Sequence, residues 1–476
     1  MSTERPPGEP GAWMYGLIVE LYPICRSITG EGLRETLRRL QQWIPLTLHE
    51  VPSGTRVFDW TVPKEWNIRD AYVKNARGER VIDFQRHNLH VVNYSIPVRQ
   101  TMRLADLRPH LFTIPNHPEW IPYRTTYYEE AWGFCLAHVD YLALEDGDYE
   151  VCIDSTLADG HLSYGELCVP GQQTDEILIS CHSCHPSLCN DNLSGMALAV
   201  ALAREVGRKQ RKHTYRFLFI PGTIGSITWL ARNEEAASRV QHGLVLSCVG
   251  DAGRSTYKRS RRGDDLVDRA AAHVFQHSGQ DHELLDFVPY GYDERQYCSP
   301  GFDLAVGCFM RTPNGCYPEY HSSADDLSLV RPDALTDSYE KCLRILDILD
   351  GDEVWLSQNP RCEPQLGRRG LYRGVASGAH QLPGYELALL WVLNLSDGRH
   401  SLMDIAERAS MGFEVIGQAA SALESVGLLR RAPASPREAA VGNPPLMPQF
   451  AQPSGPVGVP PQAAKSTGEP ELRVKP

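Results

Sequence analysis

The stretch that most constrains this chain is the apolar run Glu176-Ile-Leu-Ile-Ser180 and the loop that follows it, Cys181-His-Ser-Cys-His-Pro-Ser-Leu-Cys-Asn-Asp-Asn-Leu-Ser-Gly195. A short apolar run without polar alternation is the pattern of a strand buried on both faces, as in a parallel sheet. Residues 194–206 are apolar and rich in alanine, which predicts a buried helix. The loop between strand and helix falls at the carboxyl end of the strand, where open α/β sheets place their ligand crevice. It carries two imidazoles, His182 and His185, and a carboxylate, Asp191.

Imidazole nitrogen and carboxylate oxygen are the ligands zinc takes, and a catalytic zinc keeps one position open for water. Taken alone, each histidine reads as a polar strand end and Asp191 as a helix cap. A second half-site changes that balance. Glu319-Tyr-His-Ser-Ser-Ala-Asp-Asp326 places His321 in a polar loop after the strand-like stretch 304–310, and Leu244-Val-Leu-Ser-Cys-Val-Gly-Asp251 is an apolar strand ending on a carboxylate. Three strand ends therefore each offer a metal-type ligand.

The strings Asp191-Asn-Leu-Ser-Gly195, Gly250-Asp-Ala-Gly253 and Tyr320-His-Ser-Ser-Ala-Asp-Asp-Leu327 resemble those of the co-catalytic zinc aminopeptidase superfamily. More closely, residues 22–30, 50–72, 180–195, 221–230 and 317–327 are similar to an aminopeptidase-like family that carries an inserted β domain and a C-terminal winged helix. The resemblance runs from about residue 12 to 432 and implies an α/β fold: a doubly wound zinc-peptidase-like core with those two additions. It implies His182 as the strand-end ligand, Asp191 as the bridging carboxylate, Asp251 as the strand-end acid and His321 as the last ligand. Family members are often encoded in polysaccharide or secondary-metabolite pathways. Two departures stand out. The His-x-Asp of the superfamily is His182-Ser183-Cys184 in this chain, and its Glu-Glu pair is replaced within Pro221-Gly-Thr-Ile-Gly-Ser226. That removes a ligand and the usual base. One zinc, held by His185 or His182 with Asp191 and His321, is therefore expected rather than two, and Glu294 and Glu319 become the candidate bases. Asp293-Glu294-Arg295 lies where related enzymes line the cleft, so Glu294 is preferred.

A chain of 476 residues exceeds a single core. The expected division is N-terminal helices over 1–54, an inserted β domain over 55–165, the peptidase-like core over 166–355, a winged helix over 365–432 and a proline-rich tail over 433–476. The tail holds 11 of the 34 prolines and few large apolar residues, which predicts disorder. Aromatic residues of the insert, among them Trp60, Trp66, Trp120, Tyr123, Tyr127, Tyr128 and Trp132, read as core packing with a substrate pocket as the alternative. Tyr257, Lys258, Arg295 and Tyr320 are candidate substrate contacts, the first two in a basic loop downstream of Asp251 suited to a carboxylate or phosphate. Cys181, Cys184 and Cys189 read as small packing residues beside the site, with soft-metal ligation as the alternative.

The formal net charge of −12 disfavours non-specific binding to nucleic acid or an anionic membrane. No apolar run approaches the roughly 20 residues that span a bilayer, and the first ten residues lack a charged-then-apolar leader, so a cytoplasmic protein is the expectation. Residues 385–432 carry four Arg or Lys against six acids, and the would-be recognition helix, 413–425, has no basic residue. DNA readers draw on Arg and Lys for phosphates and base edges. A docking or dimerisation module is therefore expected. The expected activity is hydrolysis of an amide bond next to a free amine, in a small peptide or aminoacylated metabolite. The alternative is a non-hydrolytic scaffold.

Overall fold

The computed structural model describes residues 9–371 and 383–432. The tail expected to be disordered, 433–476, lies outside them. The core is an eight-stranded mixed sheet. Its strands are β1 (Thr47–Pro52), β2 (His161–Val169), β3 (Glu176–His182), β4 (Thr214–Ile220), β5 (Val240–Leu246), β6 (Ser255–Lys258), β7 (His282–Leu285) and β8 (Val306–Met310), in the spatial order β1-β2-β4-β3-β5-β8-β6-β7. The four central strands, β4, β3, β5 and β8, are parallel, so their carboxyl ends open on one edge. Every residue of β3 is buried, and its side chains alternate between two cores. Ile177, Ile179 and Cys181 pack with the helices Pro10–Leu21, Gly195–Val206 and Pro332–Gly351, whereas Leu178 packs on the opposite face with Trp229 and the insert. Helical or insert cover on both faces explains the continuous apolar run.

The insert is an antiparallel sheet in the order Arg80–Asp83, Glu65–Lys74, Asp148–Ala158, Val98–Arg103. It ends earlier than the expected boundary at 165. His161–Val169, expected as an insert strand, is β2 of the main sheet between β1 and β4, because its buried run from Leu162 to Leu167 needs cover on both sides. Within the insert, Asn88–His90 is a 3-10 turn followed by isolated bridges at Val91 and Asn93.

The C-terminal unit has helices Tyr385–Leu395, Leu402–Ala409 and Phe413–Ser425, with a three-stranded sheet in the order Asp397–Ser401, Val354–Ser357, Leu429–Arg431. Val354–Ser357 is its central strand, so the unit begins ahead of the expected boundary at 365. Helix Leu402–Ala409 starts with a capping box, Ser401 with Asp404. The unit seats on core helix Leu266–His277. Arg269 donates to Asp404 at 2.7 Å and to Glu407 at 2.6 Å, and the Phe413 N–H donates to His273 Nε2 at 2.9 Å. Among the described residues, no helix is long and apolar enough to cross a membrane.

One buried ionic cluster ties β2, β3 and β4 together. The Arg216 guanidinium donates to Glu176 at 2.6 and 3.0 Å and to Glu166, and Arg239 reaches Glu176 at 2.9 Å. Breaking such a group strands a buried charge, at about 3–5 kcal/mol. Arg216→Ala is therefore expected to lower unfolding free energy by that order in urea titrations, and an unchanged midpoint would show that the cluster contributes no net stability.

Candidate metal centre

β3 delivers His182 to the open edge of the sheet, and the chain then folds back so that Asp191 lies against it. His182 Nε2 is 2.7 Å from Asp191 Oδ1, while His185 Nδ1 and His321 Nε2 lie 3.4 and 3.1 Å from Asp191 Oδ2. One carboxylate thus faces three imidazoles. The donor atoms of His182, His185 and Asp191 all lie within 4.8 Å of one another, and these three residues are buried. His321 closes the group from the 319–326 loop and is the most open of the four, its side chain 36 % exposed.

The string Asn190-Asp-Asn-Leu-Ser-Gly195 has a local physical reason. Asn190 Nδ2 donates to Asp251 at 2.9 Å and its Oδ1 accepts from the Gly250 N–H. Asn192 Nδ2 donates to the Leu246 carbonyl at 2.9 Å and its Oδ1 accepts from the Cys248 N–H, while Ser194 Oγ accepts from the Val249 N–H. These side chains staple the loop after β3 to the loop after β5. A Cβ on Gly195 would sit 2.6 Å from the Leu246 carbonyl oxygen, which leaves no room for any larger residue. Below them Asp325 accepts the N–H groups of Asn190 and Asp191 at 2.6 and 3.0 Å. From the other side the buried Arg26 donates through Nε to the His185 carbonyl at 2.9 Å and through Nη1 to Leu21.

The electrostatics suit a cation. Burial lowers the His182 pKa to about 4 against the pull of Asp191, so the ring is a neutral donor at pH 7. Burial alone would raise the Asp191 carboxyl, but His185 and His182 outweigh it and hold it well below the usual range. Burial pushes Asp325 up to about 8, in spite of the backbone N–H of Asn190. Burial raises the thiols of Cys181, Cys184 and Cys189, Cys184 to about 12. They are protonated packing residues, and none belongs to the His182–His185–Asp191 group. Neutral imidazole nitrogen with one carboxylate is a zinc donor set, so these residues fit that ion.

The structure does not bring every expected residue to this group. Asp251, expected as a ligand, accepts from Asn190 Nδ2, the Gly253 N–H, and Thr312 Oγ1 and N–H, so its oxygens serve the staple. Tyr257, expected to touch substrate, is interior and donates to Asp268 at 2.9 Å. Lys258 is buried in an ion pair with Glu294, the preferred base. Lys258 also donates to the Tyr290 carbonyl, and Glu294 accepts the Tyr292 N–H at 3.1 Å. That pair fixes the 290–294 loop, and a carboxylate so committed is unsuited to carry protons. Tyr320 stacks on the His321 ring at 3.9 Å. Arg295 is half-buried, its Nε without a hydrogen-bond partner. Glu319 is half-buried two residues before His321.

Tyr292, which the sequence did not single out, lies over the group. Its ring packs on His182 at 3.9 Å between centroids, and its hydroxyl is 3.4 Å from His185 Nε2 and 3.4 Å from the Gly222 carbonyl oxygen. A Cβ built on Gly222 would fall 1.9 Å from the Tyr292 ring. The tyrosine thus fills the space beside Gly222, within the segment where the superfamily carries its glutamates. Nothing local marks Tyr292, because its partners are about 70 and 107 residues away in the chain. Asp325 was visible inside the quoted string 317–327 but had no assigned role.

Comparisons with known proteins agree with this architecture. Residues 15–352 match the family described as "Domain of unknown function (DUF4910)", and residues 353–431 match a winged helix-turn-helix family. A Clostridium acetobutylicum protein, named for polysaccharide biosynthesis with an aminopeptidase-like domain, is 51% identical over 422 residues, covering 89% of this chain and 97% of the relative. A crystal structure from Clostridium acetobutylicum, provisionally named a peptidase, is similar with 50% identity and a TM-score of 0.85 over 89% of this chain and 96% of that one. A zinc aminopeptidase from Bacillus subtilis shares the fold at 12% identity, with a TM-score of 0.53 over 72% of this chain and 96% of that one.

Elemental analysis of the purified protein is expected to find zinc near one equivalent per chain. Asp191→Asn and His321→Ala should lose most of it, whereas Asp251→Asn should retain it. Equal metal content in all three variants would place the ion elsewhere.

Proposed function

This chain belongs to the DUF4910 family, carried with a C-terminal winged helix, and on that premise we propose that it is a zinc-dependent, aminopeptidase-like amide hydrolase. The observation that carries the reading is the buried His182–His185–Asp191 group closed by His321, at the carboxyl edge of a parallel sheet. The substrate is an amide next to a free amine, in a short peptide or an aminoacylated metabolite. The relative named for polysaccharide biosynthesis supports the second.

When bound, zinc would polarise the scissile carbonyl and lower the pKa of a water to about 7. The rest falls to the chain's own residues. With Glu294 committed to Lys258, Glu319 is the remaining candidate carboxylate on the His321 loop, and it takes the role of proton carrier. Tyr292 occupies the space beside Gly222 and donates its hydroxyl to the oxygen on which charge develops. Glu294 and Lys258 act indirectly, by fixing the loop that holds Tyr292.

A positioned proton carrier contributes about 100- to 10,000-fold. With aminoacyl p-nitroanilides and N-aminoacyl hexosamines as substrates, Glu319→Gln and Tyr292→Phe are expected to lower kcat by that range while zinc content stays at the wild-type level. Normal turnover by Glu319→Gln would remove it from the mechanism. A zinc-loaded wild type inert on every substrate would favour the scaffold reading, to which the missing Glu-Glu pair already points.

The winged helix is assigned to docking rather than DNA reading. Helix Phe413–Ser425 turns Gly417, Ala420 and Glu424 toward a cleft of about 430 Å³ whose other wall includes Gln172, Lys212 and Asp350 of the core. One face of the helix that would enter a major groove thus lines a cleft with its own core, and its exposed positions Glu414, Gln418 and Ser421 carry no positive charge. No duplex DNA binding is expected in gel shifts at physiological salt, and a tight, salt-sensitive complex would overturn the assignment.

A further inference from the structure

Three large aromatic side chains stand in the open on the insert, Phe58, Trp60 and Tyr128, and two of them touch each other. Trp60 is 46 % and Tyr128 52 % exposed, and their rings lie 5.3 Å apart at 56°. Of the insert aromatics considered above, Trp66 is buried and hydrogen-bonded to the Ser95 carbonyl, and Trp120 and Trp132 stack on His117 and His110. Trp60 and Tyr128 meet in a tilted contact and remain about half exposed.

Both rings are held by committed backbone. Trp60 follows a two-residue hairpin turn, Val57 pairing with Trp60, that sets Phe58 at φ 56°, where glycine is the usual occupant. The Phe58 ring is anchored edge-on to Phe302 at 5.8 Å. Tyr128 itself is at φ 68°. A bulky residue in this region is a genuine outlier, and such strain persists where the surrounding structure over-determines it.

The segment that carries Tyr128 also reaches the metal centre. Adjacent to Tyr128, Tyr127 shares a hydrogen bond with Tyr123 at 2.9 Å, and the Tyr123 ring lies edge-on to both His185 and His321 at 5.1 Å. The Tyr123 N–H donates to the His321 carbonyl at 2.7 Å. Tyr128 is five residues from Tyr123, a reach of at most about 18 Å. The exposed charges on the two turns include Asp59, Glu129 and Glu130, with Lys64 tied to Glu130 at 3.0 Å and Arg56 donating to the Phe58 carbonyl. This setting repels phosphate and tolerates a neutral or amine-bearing group.

We propose that Trp60 and Tyr128 form a stacking platform for a neutral or amine-bearing sugar ring of the substrate. The proposal rests on the aminoacylated-metabolite reading and narrows it to an aminoacylated sugar. The ring packs its C–H face on the indole, and its substituent extends along the Tyr127–Tyr123 wall toward the metal centre.

The test uses EDTA-treated full-length protein, so that it is independent of hydrolysis. Methyl glycosides of a hexose, a hexosamine and an aminodeoxyhexose are titrated by saturation-transfer NMR, with glycylglycine as comparator. Wild type is expected to bind at least one glycoside with transfer to ring C–H protons. Trp60→Ala and Tyr128→Ala, each removing a half-exposed ring that the core does not need, should weaken that binding at least tenfold, and Tyr128→Phe should retain it. No glycoside binding by wild type, equal binding by Trp60→Ala, or a Trp60-dependent preference for glycylglycine would each overturn the platform. Zinc content and turnover are measured separately, so an inert but sugar-binding protein would sink the hydrolase reading and leave the platform standing.

Discussion

The structure depends on a single buried carboxylate. Asp191 is 1 % exposed and faces His182, His185 and His321. A carboxylate placed there would be driven toward its neutral form by desolvation unless cations or hydrogen-bond donors held it. The neighbouring elements are arranged to meet that demand. Asp325 orders the backbone of residues 190–191 from below, Arg26 holds the His185 carbonyl, and the Asn190, Asn192 and Ser194 side chains bind the loop after β5. Much of the polar burial at this edge of the sheet serves to fix one carboxylate among three imidazoles.

The most informative departure from the zinc aminopeptidase pattern is an exchange of residues across the fold. Gly222 lies in the segment where the superfamily has its glutamates, and Tyr292 fills the volume that glycine leaves. The Lys258–Glu294 pair then holds the Tyr292 loop through backbone contacts to Tyr290 and Tyr292. Residues 222, 258 and 292–294, far apart along the chain, thus form one connected group. It sets a phenol beside the His182 ring. The lysine of the basic loop after Asp251 is taken up in holding the tyrosine loop.

Much of the architecture was legible in the sequence. The apolar run 176–180 predicted a strand buried on both faces, the alanine-rich 194–206 a buried helix, and residues 365–432 a winged helix. These signals are local, because burial on both faces of a strand, or along a helix, is written in the hydrophobic period of a few consecutive residues. His182, His185 and Asp191 could be grouped because ten consecutive residues, 182–191, carry all three.

Tertiary structure alone decided the rest. Whether His161–Val169 joins the insert or the main sheet depends on which strand it meets, and a short apolar run carries no record of its partner. Asp251 ends a strand as a ligand would, yet Asn190 and Thr312 claim its oxygens. Glu294 looked free until Lys258, 36 residues away, was seen to neutralise it. Residue type and spacing determine which groups can ligate or carry a proton. The competing partners of each buried charge are fixed only when the chain folds, because a charge in a low-dielectric interior is bound to whichever counter-charge or donor reaches it.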